Sequence, residues 1–307
     1  MARERRSTVL VGDSPRIDLV VQGLTGVSRS VVRGMFDHGC VILDGSVCKG
    51  AGTPALAGAT IEVSYDPQCR YKEIPRAFSN NAFSVVFEDR YLIVVEKSAG
   101  ILTVPTVRKE QDTLVHQVAR HFSRGQRNPQ KAFIVHRLDC DTSGLLVFAR
   151  TEAIQQALKQ QFADHKPERE YAAIVAGTVA EESGTYRSFL ATDDDLDQFS
   201  TSEPGAGKLA VTHFQVTQRL RGATYLCVHL ETGRRNQIRV HFAEAGHPVL
   251  GDLRYEPRLA CHPLWHQKRL ALHAKTLAFQ HPVTGAPIRS TTELPPSLRT
   301  FLDKTST

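Results

Sequence analysis

The run His136-Arg137-Leu138-Asp139-Cys140-Asp141-Thr142-Ser143-Gly144 constrains this chain more than any other. It lies between two β-like segments, Lys131 to Val135 (KAFIV) and Leu145 to Ala149 (LLVFA). Short apolar runs bounded by turn residues read as strands, and Thr-Ser-Gly supplies such a boundary. Strands on both sides hold the loop at its two ends. The Asp139 carboxylate is then presented at a fixed place, as a nucleophile or general base requires. Taken alone, an HRxD quartet is more often a polar surface hairpin, so other residues must carry the reading further.

At 307 residues the chain exceeds one average domain and suggests two. Its 41% hydrophobic content suffices for a buried core, and 23% charged residues suits an ordinary globular protein. The formal charge of +6 is compatible with a nucleic-acid partner, although the placement of the charge decides binding. Six cysteines (40, 48, 69, 140, 227 and 261) include no CxxC pair, and the basic start MARERRSTVLVGD holds no apolar core of secretory length. Reduced thiols in a cytoplasmic, soluble protein are expected. No run approaches the roughly 20 apolar residues that span a bilayer, so no membrane partner is expected.

Residues up to about 66 read as a small α/β module. Ser28 is placed to cap a helix with Val31, Val32, Met35 and Phe36 along one stripe, Arg29 and Arg33 a turn apart on another face, and Gly39 at its end. Cys40 to Val47 around Asp44-Gly45 reads as a tight hairpin. Thr60 to Tyr65 alternates Ile61, Val63 and Tyr65 inward. Residues 66 to 82, with two prolines and an Asn pair, have linker composition. Strands are predicted at Ser84 to Phe87, Tyr91 to Glu96, Tyr171 to Ala176 and Thr224 to Leu230. Thr151 to Phe162 is predicted as an amphipathic helix with Ile154, Ala157, Leu158 and Phe162 inward, and Thr192 to Gly207 as a loop.

A second block runs from Glu231 through Arg234-Arg235-Asn236-Gln237-Ile238-Arg239 to Gly246-His247-Pro248-Val249-Leu250-Gly251-Asp252 and Tyr255. A helix from about Asn236 to Ala245 would pin Ile238, Phe242 and Ala245 to the sheet, with Arg235 and Arg239 a turn apart on a neighbouring face. An arginine so placed can pair with a partly buried carboxylate and keep it ionised.

The nonapeptide and this second block closely resemble the signature sequences of pseudouridine synthases of the ribosomal large-subunit synthase A family. Tyr91 to Gly100 resembles the family's opening strand and turn, and Arg269 to Ala274 its pocket-lining strand. The helix, Asp-Gly hairpin and GATIEV strand resemble the RNA-binding domain of ribosomal protein S-four. The resemblance implies an α+β fold: a synthase domain over 83–305 with a central mixed or antiparallel sheet and flanking helices. A linker over 67–82 would join it to a small α/β RNA-binding domain over 14–66. It implies Asp139 as the catalytic residue, Arg239 as its basic partner and Tyr171 as the ring that stacks on the target base and assists proton removal. Arg137 would take the space of an extruded nucleotide and Leu272 would wall the uracil site. His136 and Arg235 complete the substrate-binding candidates, and Arg29, Arg33 and Lys49 would contact phosphates.

RNA, ribosomal or transfer, is the implied partner of a monomer that needs no cofactor and no metal. The sequence departs from the family pattern at Asn236, usually histidine, and at Ser98, usually proline. Three other readings compete: a glycoside-type hydrolase using Asp139 and Asp141, an RNA-binding protein without activity, and a zinc site from Cys261, His262, His266 and His273. The spacing of two residues in the first and the irregular spacing in the last favour neither. The acidic run Asp193-Asp194-Asp195 reads as solvated loop.

Overall fold

Two units make up the chain, Met1–Arg76 and Ala77–Thr307. The structure is a computed structural model that describes residues 4–12, 16–48, 50–67, 71, 82–106, 108–126, 128–193, 197–203 and 205–306. Most of the predicted linker, and the candidate Lys49, lie outside the described residues.

The first unit runs β1 (Glu4–Val9), α1 (Ile17–Thr25), α2 (Arg29–Asp37), β2 (Val41–Leu43), β3 (Ser46–Val47) and β4 (Thr60–Tyr65). Its antiparallel sheet has the order β1-β4-β2-β3. Asp44 and Gly45 both take positive φ, 48° and 78°, the backbone that a two-residue hairpin turn needs. Ile61, Val63 and Tyr65 face inward as their alternation predicts, against Val32, Met35 and Phe36 of α2. Two elements were not foreseen. The strand β1 is mostly exposed and is held by its register with β4, Glu4 opposite Tyr65 through Val9 opposite Thr60. The helix α1 buries Ile17 and Val21 and ends at Gly26 in the left-handed conformation. Ser28 starts α2, but its hydroxyl lies 3.2 Å from that of Ser30 and makes no capping bond.

The second unit opens with the paired strands β5 (Phe83–Glu88) and β6 (Leu92–Lys97), then α3 (Leu114–Phe122). The signature loop lies between β7 (Phe133–Ile134) and β8 (Ser143–Ala149). There follow α4 (Glu152–Ala163), β9 (Glu168–Ala176), β10 (Ser183–Thr192), β11 (Gln198–Thr201), β12 (Lys208–Leu220) and β13 (Ala223–Leu230). The chain ends with α5 (Gln237–Glu244), β14 (Leu272–Gln280), β15 (Pro287–Thr291) and α6 (Pro296–Thr305). One mixed sheet takes the order β11-β10-β12-β13-β9-β14-β8-β6-β5, with β15 on β14 and β7 on β8. The pairing of β14 with β8 is parallel, His273 opposite Ser143. This α+β architecture is the expected one.

The differences from expectation have local causes. The lead-in strand is two residues long, not five. The segment Thr192 to Gly207 contains β11, whose edge pairing with β10 no hydrophobic period announces. Thr151 caps α4 by accepting from the Ile154 N–H at 3.4 Å. Leu158 is buried there but Ala157 is exposed. In α5, Ile238 and Phe242 are buried, with Phe242 against Tyr186 and Phe214 at ring distances of 5.2 and 5.6 Å. Ala245 is exposed, and Ala243 takes its place in the core. A fully buried side chain the size of Phe242 contributes roughly 1.5–3 kcal/mol, so this packing fixes α5, and with it Arg239, over the sheet.

Candidate active site

The signature loop is held residue by residue. Thr103 Oγ1 donates to the Leu138 carbonyl (2.7 Å) and accepts from the Leu138 N–H (3.3 Å). The Cys140 carbonyl accepts from the Gly100 N–H at 2.9 Å and from the Lys97 ammonium at 2.8 Å. The Asp141 carbonyl accepts from the Leu270 N–H at 3.3 Å. Lys97 is fully buried, and its other two acceptors are the carbonyls of Ser98 and Ile101. Burial pushes its pKa down to about 8, opposed by the charges of nearby acidic groups. Ser98, the departure from the family pattern, donates its N–H to the Ala82 carbonyl at 2.8 Å, a bond proline cannot make. At the loop's exit Gly144 has φ 117°, and a Cβ there would overlap the backbone of Ala274. Only glycine lets β8 approach β14 this closely.

Three adjacent strands and one helix converge on this loop. Tyr171 sits on β9, opposite Ala274 of β14. Leu272 begins β14, and Arg239 projects from α5. Arg137, Asp139, Tyr171, Arg239 and Leu272 together line a slot of about 50 Å³. Arg137, Asp139 and Tyr171 also line an adjoining cavity of about 510 Å³, whose wall includes His136 and Arg235. The structure therefore brings together all seven candidates of the synthase domain.

Their electrostatics differ from expectation in one respect. Arg239 Nη1 donates to Asp139 Oδ2 at 3.4 Å, a long contact. Its better-aimed nitrogens grip a second carboxylate: Nε reaches Asp252 Oδ2 at 2.7 Å and Nη2 reaches Oδ1 at 2.8 Å. The Asp252 side chain is fully buried, and Asp139 is about one-fifth exposed. Burial disfavours the Arg239 cation, but hydrogen bonding to Asp252 and the charges of Asp252 and Asp139 outweigh it, so its pKa is raised. Asp252 was not singled out from the sequence. It is a lone acid after a glycine in a loop, and hydrophobic periodicity does not mark such a position.

Asn236 occupies the left-handed conformation at the start of α5, φ 55°, where asparagine is among the residues best tolerated. Its Oδ1 accepts from Arg239 Nη1 at 3.1 Å and its Nδ2 donates to the Tyr255 hydroxyl at 3.0 Å. Arg235 precedes the helix, so it does not stand one helical turn from Arg239 as expected. His136 stacks on Phe162 at 4.7 Å, and its Nε2 accepts from the Val147 N–H at 3.3 Å. Burial, with a smaller contribution from the Arg169 charge, pushes its pKa down to about 3. Burial also raises the Tyr171 phenol, with Arg169 opposing and Asp139 adding.

The competing readings find little geometry. Asp141 lines a different cavity from Asp139, so the two carboxylates do not flank one site. Among the described residues Cys261, His262, His266 and His273 form no metal-ligand group. The group that converges is Glu170, Cys227 and His229, with the Lys275 ammonium already 3.5 Å from Glu170. Of the acidic run, Asp193 accepts the Asp197 N–H at 2.6 Å, and its two neighbours lie outside the described residues.

In fold, the second unit is of the pseudouridylate synthase class. A solved structure of human RNA pseudouridylate synthase domain containing 4 superposes with TM-score 0.58 at 21% identity, covering 73% of this chain and 94% of that one. Human RNA pseudouridylate synthase domain containing 1 gives 0.58 at 24% identity, covering 72% and 88%. Residues 91–244 match the RNA pseudouridylate synthase family. A ribosomal large subunit pseudouridine synthase D of Zymomonas mobilis is 33% identical over 300 residues, 92% of each chain. One from Vibrio cholerae is 34% identical over 307 residues, 93% of this chain and 90% of its own. The chain belongs to the RNA pseudouridylate synthase family: it is an isomerase that acts on RNA.

Proposed function

We propose that the protein converts specific uridines of large-subunit ribosomal RNA to pseudouridine, with Asp139 as the catalytic residue. The observation that supports the assignment best is the shared slot, in which Asp139, Tyr171, Arg239 and Leu272 meet beside Arg137. Relatives of similar length that carry the name ribosomal large subunit pseudouridine synthase D support the ribosomal target over transfer RNA.

The C1′–N1 bond is inaccessible inside a helix, so the uridine must leave its stack, at a cost of a few kcal/mol. Arg137, exposed at the mouth, takes the vacated space, and His136 and Arg235 line the approach. Leu272 walls the uracil slot, and Tyr171 stacks on the base. Asp139 attacks as a nucleophile or triggers elimination; either route breaks C1′–N1 while the uracil stays held. The ring turns, C5 bonds to C1′, the C5 proton leaves, and N1 gains a proton. Arg239 holds charge beside Asp139 throughout, and Asp252 fixes the guanidinium that does so.

The first unit serves as the RNA-binding module, with Arg29, Arg33 and Lys49 as phosphate contacts. Arg29 is partly compensated, since its Nε lies 3.5 Å from Asp18, which Arg16 also grips. Arg33 is exposed on the same helix. A monomer acting in the cytoplasm fits this reading, and no helix among the described residues is long and apolar enough to cross a membrane.

The test is purified protein with ribosomal RNA carrying tritium at C5 of uridine. Release of tritium to water with no free uracil is the expected result. Free uracil as the product would overturn the isomerase reading in favour of hydrolysis.

A further inference from the structure

Next to the Asp139 slot lies a cavity of about 730 Å³ that the reaction as described does not use. Its size falls within the roughly 300–1,000 Å³ of sites that take small molecules. Arg239 belongs to the walls of both spaces, and Asp141 reaches this one from within the signature loop. Its floor includes the buried apolar side chains Trp265 and Leu270. The Trp265 indole N–H is engaged by the Arg269 carbonyl at 3.3 Å and the ring packs edge-on against Phe301 at 5.6 Å, so what Trp265 offers the cavity is its apolar part, 7% of the residue being exposed. Four cations line the rim, but Arg254 is paired with Asp197, and Arg239 is gripped by Asp252 and contacts Asp139; Lys268 and Arg269 are left against the single carboxylate of Asp141. Among the described residues Lys268 has no ion pair. Arg269 directs Nε and Nη2 to Leu270 O, Ser143 Oγ and Leu272 O, none of them anionic. Leu253 stands at the same rim, 88% exposed.

An apolar floor under a basic rim is the chemistry of a nucleotide, a flat base with a phosphate attached. We propose that this cavity receives the nucleotide next to the target uridine in the same RNA strand, its base on the Trp265–Leu270 floor and its phosphate at Lys268. The inference rests on the proposed action on RNA. Continuity through Arg239 makes an adjoining nucleotide, held by the same strand as the uridine, the occupant rather than a free small molecule. The cavity then reads the identity of a neighbour and so contributes to the choice of uridine.

Cys261 lines the cavity and is exposed, whereas Cys40 and Cys48 are buried. Its thiol is therefore a reporter of occupancy. The full chain carrying Asp139→Asn is saturated with a synthetic RNA spanning the target uridine and treated with iodoacetamide. Modification is then located by mass spectrometry. RNA should slow alkylation of Cys261 by roughly tenfold or more. An RNA lacking the base of one neighbour, still bound in a gel-shift assay, should restore it. Alkylation of Cys261 at the unbound rate in the saturated complex overturns the inference, as does protection that survives loss of either neighbouring base.

A kinetic arm uses Lys268→Ala and Leu253→Ala, both at exposed positions. On intact RNA they should raise KM roughly tenfold with kcat nearly unchanged, the pattern of lost uniform binding. On the abasic RNA Leu253→Ala should cost nothing further, and an equal loss there contradicts the inference. If the wild-type protein converts the uridine while Cys261 stays unprotected, only this inference fails. If it converts no uridine in any RNA, the proposed function fails first.

Discussion

At the scale of single residues, the arginine of the site has two acids rather than one. Asp252 grips its fork in a bidentate pair, and Asp139 receives a longer contact from the remaining nitrogen. Removing one member of a buried pair leaves the other charge uncompensated, which costs about 3–5 kcal/mol. Asp252→Ala should therefore lower the stability of the synthase unit by roughly that amount in urea denaturation. Asp252→Asn keeps the shape and should lower kcat by about tenfold or more with little change in KM, because the guanidinium loses its anchor. An unchanged kcat in the asparagine variant would remove Asp252 from the account. Sequence alone reached Asp139, Tyr171, Arg239 and Leu272 through a family resemblance carried by several short contiguous motifs spread along the chain. It did not reach Asp252, since nothing local distinguishes an acid that pairs across a turn from one facing water. The pairing of Arg235 with Arg239 failed for a related reason. Asn236 takes a left-handed backbone that breaks the helical spacing just between them.

At the scale of elements, the signature loop is rigid because its backbone polar groups are satisfied from outside it. Thr103 both donates to and accepts from Leu138. Thr103→Val keeps the volume and strands a carbonyl and an N–H, so it should cost about 1–3 kcal/mol. It should also lower kcat more than it raises KM; the reverse split would mean the loop position matters only for binding.

The buried histidines give a pH signature. Burial, then the charges of Arg269 and Lys275, push His273 down to about 3, while in the unfolded chain it titrates near its ordinary 6.5. His136 behaves alike. Between those values the unfolded chain binds more protons than the folded one, so stability is full above about 6.5 and falls as pH drops toward 3. Each histidine contributes a slope of up to roughly 1.4 kcal/mol per pH unit. His273→Gln should flatten the acid limb by about one such slope in urea titrations between pH 6.5 and 4.5; an unaltered slope would contradict the assignment. Elements with strong local chemistry were legible: the Asp-Gly hairpin, the Thr151-capped helix, and β13 with its alternation. Several missed elements lacked it, although α3, which was not predicted either, buries Leu114, Val118 and Phe122 at helical spacing. The helix α1 has no side-chain cap at Arg16, and β1 and β11 are edge strands whose order comes from their partners.

At the scale of the whole molecule, a small module precedes a synthase unit whose sheet places the site on three adjacent strands, β9, β14 and β8. If the module holds RNA by phosphate contacts, binding must weaken as salt rises, by a log–log slope of roughly 0.7–0.9 per phosphate neutralised, the range between single strands and B-form DNA. Residues 77–307 alone should bind ribosomal RNA more weakly and with a shallower salt dependence than the full chain. Arg33→Ala in the full chain should remove about one contact's share. Equal affinity and equal slope for the two forms would deny the module its role and leave recognition to the synthase unit.

The most direct measurement maps pseudouridine across total RNA from cells that contain the protein, lack it, or carry Asp139→Asn in its place. The account predicts that one or a few uridines of large-subunit ribosomal RNA lose the modification with the protein. The wild type should restore it, and the asparagine version should not, although it folds and binds RNA. Modification restored by Asp139→Asn, or a map that does not change when the protein is lost, would contradict the claim that this carboxylate carries the reaction.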